Sequence, residues 1–355
     1  MGGQQQNENG DKGPPTRGVP FTVSLAVCSS MVDNAQSLEL ATMMAGQVAR
    51  CAGIFCADEV VVIDDSPSSE GGEKTVSSHA AFLARVLQYM ETPQYLRRSL
   101  IAQHPHLKHV GLLPPLNAPH HPRSTEWTKY REGVVERVAA STSGADAEPD
   151  HSLVNVGLDR PAKVHRALSV GERVTVRMKD KGFPKAGDEA AAGDGGGGGE
   201  WYRGKVVDSR EPRRRKGSFW GYSVRLARTL SEALEGGDRE YDLKIGTSER
   251  GEVFDPTRPD CSLPEFSSLL VCFGAVEGLE RAYACDPKLK SREGGCEQLF
   301  DLWLNTCPSQ GTRTIRAEEA ILVSMALLST KLPRFFSENA VNATVGGGGG
   351  NDAEE

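Results

Sequence analysis

The chain has 355 residues, 25% of them charged and 38% hydrophobic, with a formal net charge of -7. That length is enough for two or three domains with a sizeable core, and no run of about 18 apolar residues argues for a membrane-spanning helix. The first twenty positions lack a cationic start followed by an apolar core, so no secretory signal is expected and the chain reads as soluble and intracellular.

The Gln/Asn/Gly-rich start, residues 1–18, is too polar to pack and reads as a disordered tail. Val23 to Val27 then predicts a strand. From Ala35 to Cys51 the spacing puts Leu38, Ala41, Ala45 and Val48 on one helical face, with Asn34 placed either to cap that helix or to approach a substrate. Val60 to Ile63 is a β-branched run ending at Asp64 and Asp65, so strand, helix and buried strand follow in the order of a parallel βαβ unit. His79 to Met90 predicts a second helix, and Thr92-Pro93 marks the start of a third with Pro at its first position. Val110 to Leu113 predicts a further strand. PPLNAPHHPR, Pro114 to Arg123, breaks the pattern and places His120 and His121 in a surface loop.

The positive charge lies in the middle of the chain. From Arg160 to Leu230 there are 17 Lys/Arg against 8 Asp/Glu, a local excess of opposite sign to the chain as a whole. Arg173 to Met178, Trp201 to Val207 and Trp220 to Ala227 alternate polar with apolar or aromatic residues, as half-buried strands do. Several short strands in this span predict a small barrel or sandwich, and a barrel bearing Arg, Lys, Trp and Tyr suits RNA or DNA. EPRRRKG, Glu211 to Gly217, would then be a phosphate-contacting loop; the alternative is a solvated charge run on a hairpin. Likewise Trp201, Tyr202, Phe219, Trp220 and Tyr222 are either nucleic-acid contacts or barrel core. The Ala/Gly tract from Ala186 to Gly199 only lengthens a hairpin loop.

Beyond the barrel the α/β pattern resumes. Asp242 to Ile245 is a short extended segment, GTSERG (Gly246 to Gly251) a turn, Ser268 to Phe273 a strand, and FGAVEGLE (Phe273 to Glu280) a Gly-rich loop opening into a helix. Leu299 to Leu304 predicts the last strand, followed by the loop NTCPSQGTRT and the helical pattern AEEAILVSMALL. Three loops at successive strand ends are placed to converge on one ligand, with Gly274, Gly278 and Gly311 where bulkier residues would block a pocket. Glu318 and Glu319 suit the first turn of the last helix, where acids meet the positive end of the macrodipole. The eight cysteines form no CxxC pair and sit mostly in apolar runs, so they read as reduced thiols, and metal binding is not expected.

Seven stretches together resemble one family: DNAQS (Asp33 to Ser37), AGQVAR (Ala45 to Arg50), LQYMETPQYLR (Leu87 to Arg97), GLLPPLNAPHH (Gly111 to His121), GTSERG, FGAVEGLE and NTCPSQGTRTIRAEEAILVS. Their order and spacing are similar to those of the SPOUT-class, trefoil-knot RNA methyltransferases, whose animal member is also described as a centromere protein. The resemblance runs from about Val19 to Leu328. It implies a knotted α/β domain in two parts, 19–117 and 231–332, an inserted basic OB-like β-barrel at 118–230 that binds RNA, and a disordered Gly-rich tail at 333–355. It further implies S-adenosylmethionine as methyl donor, RNA as acceptor, no metal, and a homodimer that completes its active site across the interface.

Carried over by motif, the cofactor-binding residues implied are Arg250, Gly274, Asn305, Thr306, Gln310 and Gly311, with Thr312 to Ile315 contributing backbone contacts to the adenine. For acid/base and orienting work the candidates are Arg50, Glu249 and Arg316, alongside Arg250 and Glu319; an Arg serves better as a grip on phosphate or carboxylate than as a base. Cys28, Ser29 and Ser30 stand where the family has a Pro-Gly-Ser type of turn. Nuclear or cytoplasmic residence is expected by resemblance, with the mitotic spindle or centromere as further locations and their proteins as partners. The alternative function is a non-catalytic RNA-binding or spindle-associated scaffold that retains the fold.

Overall fold

The structure is a computed structural model and describes residues 19, 21–67, 75–139, 151–179, 182–183, 200–237 and 240–332. The two expected tails and the Ala186 to Gly199 tract lie outside those residues. The chain begins with β1 (Thr22–Cys28), whose last six residues are all buried. Helix α1 (Leu38–Ile54) starts at Ser37, whose Oγ accepts the Leu40 N–H at 3.3 Å. That cap belongs to Ser37 and not to Asn34, because the turn after β1 runs on through a 3-10 segment, Ser29–Val32, and delays the helix. Next come β2 (Glu59–Ile63), α2 (Ser78–Glu91, capped by Ser77) and α3 (Gln94–Leu100). Pro93 is the N-cap of α3, outside its first turn, and the Thr92 hydroxyl closes α2 by donating to the Gln88 carbonyl.

The stretch Val110 to Leu113 is not a strand. Val110–Leu112 is a 3-10 turn, with the Leu112 and Leu113 amides donating to the His109 and Val110 carbonyls. Gly111 inside so short an apolar run, and two prolines directly after it, leave it no ladder to join.

Five strands close a barrel: β3 (Tyr130–Ala139), β4 (His151–Asn155), β5 (Ala162–Val164), β6 (Arg173–Met178) and β7 (Tyr202–Val207), in the order β3-β4-β5-β7-β6. Val135, Val154, Val164, Val176 and Tyr202 fill it. The barrel thus closes within 130–207. EPRRRKG is a short helix, α4 (Glu211–Lys216), and not a loop; its Arg213 is buried, 2.9 Å from Asp58 and bonded to the Phe21 and Cys56 carbonyls. The segment expected as a barrel strand over 220–227 is β8 (Ser223–Ala227), parallel to β2 in the other sheet. Its alternation is that of a half-covered edge strand, and parallel pairing of β5 with β7 leaves it no place in the barrel.

The chain then adds α5 (Leu230–Glu235), β9 (Leu243–Val253), β10 (Ser268–Phe273), α6 (Gly278–Cys285), β11 (Leu302–Asn305) and α7 (Ala317–Leu328). The six-stranded sheet has the order β11-β9-β10-β1-β2-β8, and every neighbouring pair is parallel. Parallel sheets need both faces covered. One face packs under α1, α2 and α7 through Val48, Leu83, Leu87, Ile321 and Met325; the other packs under α5 and α6 through Leu230, Ala233, Leu279 and Ala282. Each of the larger fully buried aliphatics contributes about 1.5–3 kcal/mol of transfer free energy.

A buried polar junction seats the barrel on the sheet domain. From β6, Arg173 donates in bidentate fashion to Glu91 at the end of α2, at 2.7 and 2.9 Å, and through Nε to Glu132 of β3 at 2.8 Å. Glu132 also accepts from Thr175 and from the Trp220 indole, each at 2.6 Å. His120 and His121 donate to the Glu91 carbonyl at 3.0 and 2.7 Å, and His120 is fully buried. The PHHP segment is therefore part of this junction and not the surface loop its prolines suggested. Burial pushes the Glu91 carboxyl up, but hydrogen bonds from His120 and Arg173 and the guanidinium charge outweigh it and hold the group at about 2. Burial, with His120 beside it, pushes His121 down to about 3.

Both shifts are depressions, so in both cases stability falls on acidification: Glu91 loses a carboxylate that the fold favours, and His121 meets a burial penalty on the charge it would gain. Stability should fall as the pH drops below about 6.5 through His121, and again below about 4.5 as Glu91 approaches protonation. Glu91→Gln should cost about 3 kcal/mol at pH 7 by leaving Arg173 unbalanced, and should remove the second of these acid losses. Urea denaturation of both proteins between pH 7 and pH 4 checks both expectations.

Candidate functional site

The C-terminal edge of the parallel sheet brings three loops together. β9 stays paired with β10 as far as Thr247 opposite Phe273. Against β11 it pairs at Ile245 and Gly246, then again at Glu252 and Val253, although Trp303 and Leu304 on the partner are consecutive. Residues 247–251 are therefore pushed out of that ladder as a large bulge next to the sheet edge. The turn expected at GTSERG is this bulge. A Cβ on Gly251 would lie 2.5 Å from the Leu304 carbonyl carbon, so the bulge returns to β11 only because the residue is glycine.

The second loop joins β10 to α6. A Cβ on Gly274 would stand 2.3 Å from the backbone of Gly278, and Gly278 itself has φ of +72°. These glycines allow the strand end and the helix start to approach each other, so their role is backbone contact more than keeping a cavity clear. Gly311, in the third loop between β11 and α7, is exposed, and a Cβ there would meet nothing within 4 Å.

Side chains tie the loops to one another. Asn305 Nδ2 donates to the Glu249 carbonyl at 2.8 Å while its Oδ1 accepts the Cys307 N–H at 3.0 Å, linking the bulge to the third loop. Thr306 and Ser324 share a buried hydroxyl hydrogen bond of 2.7 Å, linking that loop to α7. Thr247 donates to the Cys272 carbonyl at 2.9 Å, and Arg250 lies 3.3 Å from Glu280 on α6. The loops enclose a cavity of about 320 Å³, the scale of a small-molecule site.

Glu249, Arg250, Gly274, Asn305, Thr306, Gln310 and Ile315 all line this cavity. Gly311 and Thr312 are exposed on the same loop, just outside the lining. Arg316 is the N-cap of α7, with its side chain 66% exposed and 3.9 Å from Glu318. Arg50, on α1, donates to the Pro115 and Leu116 carbonyls at 2.9 and 3.4 Å and takes no part in the lining. Glu319 accepts the Arg316 N–H at 3.1 Å, which is the helix-start role expected of it.

Several lining residues were not singled out from sequence. Glu277 and Glu280 add two carboxylates, Arg313 adds a cation, and Ser324 lies on the inner face of α7. Ser324 had a signal: it is the one polar residue in the stripe Ile321, Ser324, Met325, Leu328. Behind the second loop, Arg281 bridges Glu277 at 2.8 Å and buried Asp65 at 3.7 Å. Asp65 in turn accepts the Ser29 hydroxyl at 3.1 Å, the Ser30 amide at 2.9 Å and the Ser30 hydroxyl, which fixes the Cys28-Ser29-Ser30 turn. Beside it, Asp33 and His79 pair at 2.6 Å. Burial pushes the Cys28 thiol well up, and the Asp65 charge adds to this, so Cys28 is protonated and no nucleophile.

A larger cleft of about 760 Å³ opens at the opposite edge of the sheet, between the barrel and Asp58, Ser223 and α3. Its charged walls are the ion pairs of the junction, Glu91, Glu132, Arg173 and Arg213 among them. Arg173 bonds Glu91 and Glu132, Arg213 pairs with Asp58, and the smaller cavity at the strand C-termini is the better ligand site.

A family model described as "Putative RNA methyltransferase" matches residues 22–328. The protein named 28S rRNA (uridine-N(3))-methyltransferase from Homo sapiens is 43% identical over 326 residues, covering 89% of this chain and 80% of that protein. Proteins of the same name from Mus musculus and Drosophila melanogaster are 42% and 40% identical, covering 91% and 96% of this chain and 80% and 68% of theirs.

Gly274→Ala should destabilise the protein by about 1–3 kcal/mol, because the new methyl meets backbone that cannot move aside. Gly311→Ala, in open space, should change stability by less than about 0.5 kcal/mol. Thermal and urea unfolding of the pair make the comparison.

Proposed function

The chain belongs to this RNA methyltransferase family, and from that premise we propose that it transfers a methyl group from S-adenosylmethionine to N3 of a uridine in large-subunit ribosomal RNA. The observation that carries the reading is the cavity built by residues 247–251, 274–280 and 305–315 at the C-terminal edge of the sheet, inside the matched span. The name shared by the human, mouse and fly relatives supports the choice of base and atom.

The residues fit the donor. It brings a methyl group already activated on a sulfonium cation. Glu249, Glu277 and Glu280 set negative charge around the cavity for the donor's cationic groups, and Arg250 or Arg313 is placed for its carboxylate. Asn305, Thr306, Gln310, Gly311 and the backbone from Thr312 to Ile315 form the loop that holds it, with Gly274 letting the strand end come close.

Methylation at uridine N3 replaces an N–H, so a proton must leave. Of the three candidates Arg50, Glu249 and Arg316, Glu249 is the carboxylate on the cavity wall and takes the acceptor role in this reading. Guanidinium groups stay protonated, which suits Arg316 and Arg50 to gripping phosphate. Arg50 lies off this cavity, so its part falls to a site completed by a second protomer. Support for a homodimer comes from exposed Leu40 and Met43 on α1 and Leu322 on α7, two helices that pack together.

We further read the crossing near β11 as a trefoil knot. The Phe254 amide at the start of the 254–267 connection donates to the Asn305 carbonyl at 2.9 Å, which ties that connection to the strand leading into the third loop. The five-stranded barrel is read as an OB-fold that carries the RNA, supported by its order and by the basic residues on its surface.

Calorimetry should show the folded protein binding S-adenosylmethionine in the low-micromolar range, with Asn305→Ala about tenfold weaker through loss of the loop-to-loop hydrogen bond. Glu249→Gln, with Glu277 and Glu280 still lining the cavity, should weaken donor binding only a few-fold and lose most methyl transfer to uridine-containing ribosomal RNA. Absence of any donor binding by protein with a native circular dichroism spectrum would sink the reading.

A further inference from the structure

We propose that helix α4 and the start of β3 form a docking surface for the sugar-phosphate backbone of base-paired RNA; this rests on the reading that the barrel carries the substrate. The surface follows from how α4 is held. Pro212 and Arg213 are buried, and the ion pair of Arg213 with Asp58 fixes which way the helix faces. Arg214, Arg215 and Lys216 are turned to solvent, and Arg210 before the helix and Lys129 before β3 are exposed as well. Tyr130 sets the two segments side by side: its hydroxyl donates to Glu211 at 3.0 Å, and Lys216 Nζ stands 5.8 Å from its ring centroid.

Two carboxylates pair with these cations and do not balance them. Asp208 lies 3.4 Å from Arg214. Glu211 uses one oxygen for the Arg177 guanidinium at 2.9 Å, the Tyr130 hydroxyl and Arg215 Nε at 3.7 Å, so Arg215 shares a charge that Arg177 already holds. Lys129, Arg177, Arg210, Arg214, Arg215 and Lys216 thus set six positive charges against two negative ones. Burial pushes the Lys216 ammonium down from its ordinary value, and the Lys129 charge beside it adds to this. A single cation in the last turn suits the negative end of a helix dipole. Three in succession on a six-residue helix, next to Lys129, exceed what that end draws.

Phosphates laid over the cluster turn its repulsion into attraction. The surface offers charge and no free ring: Tyr130 is buried, and the half-buried Trp220 has its indole N–H committed to Glu132. It therefore reads backbone and not sequence, which suits a helix presenting the phosphates of two strands. Its place in the fold sets the scale of the substrate. Arg213 bonds to the Phe21 and Cys56 carbonyls, just before β1 and β2, so α4 sits at the N-terminal edge of the sheet and the ligand cavity at the other. The seven residues of β1 put about 23 Å of strand between them. Docking this far from the reacting atoms lowers KM and leaves the chemical step alone.

Fluorescence anisotropy of the full chain with a labelled RNA duplex of about 20 base pairs, and with a single strand of equal length, over a range of salt, tests this. Arg214→Gln/Arg215→Gln/Lys216→Gln should bind the duplex at least about tenfold more weakly, with the log-log salt slope flatter by roughly 2. The charge-preserving Arg214→Lys/Arg215→Lys/Lys216→Arg should keep most of the affinity. In methyl transfer to a long ribosomal RNA fragment the Gln variant should raise KM about tenfold with kcat unchanged, and its calorimetric binding of S-adenosylmethionine should match the wild type. Equal duplex affinity of the wild type and the Gln variant overturns the surface and leaves the barrel's RNA role to another face. Weaker binding with an unchanged salt slope overturns the phosphate contacts. Wild-type preference for the single strand overturns the choice of paired RNA. Failure of the wild type to bind either RNA overturns the reading beneath it as well, and donor calorimetry on the same protein then decides separately whether the cavity stands.

Discussion

The Arg173 guanidinium, held between Glu91 and Glu132, is the interaction on which the arrangement of the molecule turns. It joins three elements far apart in sequence: the end of α2, the first barrel strand and the fourth. Two buried carboxylates and a half-buried guanidinium need mutual geometry to be tolerable. That geometry is completed by Thr175, Trp220 and His120, so barrel and sheet are set at one angle and not loosely tethered. Tyr222, whose hydroxyl donates to the Leu87 carbonyl, carries the chain from this junction into β8. The barrel is thus rigidly docked at the N-terminal edge of the sheet, while the ligand cavity forms at the other edge.

Separating the two edges clarifies how charge is used. Most basic residues in the middle of the chain had a single compositional reading, yet the structure divides them into two sets. Arg173, Arg177, Arg213 and Arg225 face carboxylates of the protein itself, and their contribution is architectural. Arg203 and Lys205 project outward from the barrel. A count of Lys and Arg cannot separate these sets, because what distinguishes them is how deeply the fold buries each side chain.

Local pattern made much of the scaffold legible. AEEAILVSMALL is α7 to the residue, the β-branched run at 60–63 is the core of β2, and the three loops expected to converge do line one cavity. The elements that local pattern misplaces depend on long-range pairing. The alternation in WGYSVRLA is the same whether a strand edges a parallel sheet or lines a barrel, and only its pairing with β2 decides. His120 beside prolines resembles a surface loop until α2 supplies Glu91, and Val110 to Leu113 looks like a strand until no strand is there to receive it. Among the site residues, Arg50 shares a motif with the core of α1, so its distance from the cavity is invisible in one dimension.

The strand order has a consequence for how the chain reaches this state. β1 and β2 are made first, but β1 pairs with β10 and β2 with β8, so their outer neighbours are synthesised only after the whole barrel. Thr22 bonds to Ser267, 245 residues further along. A nascent chain therefore holds two strongly apolar strands with open edges while the ribosome completes the insertion. The barrel, whose strands are all local to 130–207, can close in that interval and then present β8 to the waiting edge. Folding of this kind is slow and concentrates its risk of aggregation in the first sixty or so residues.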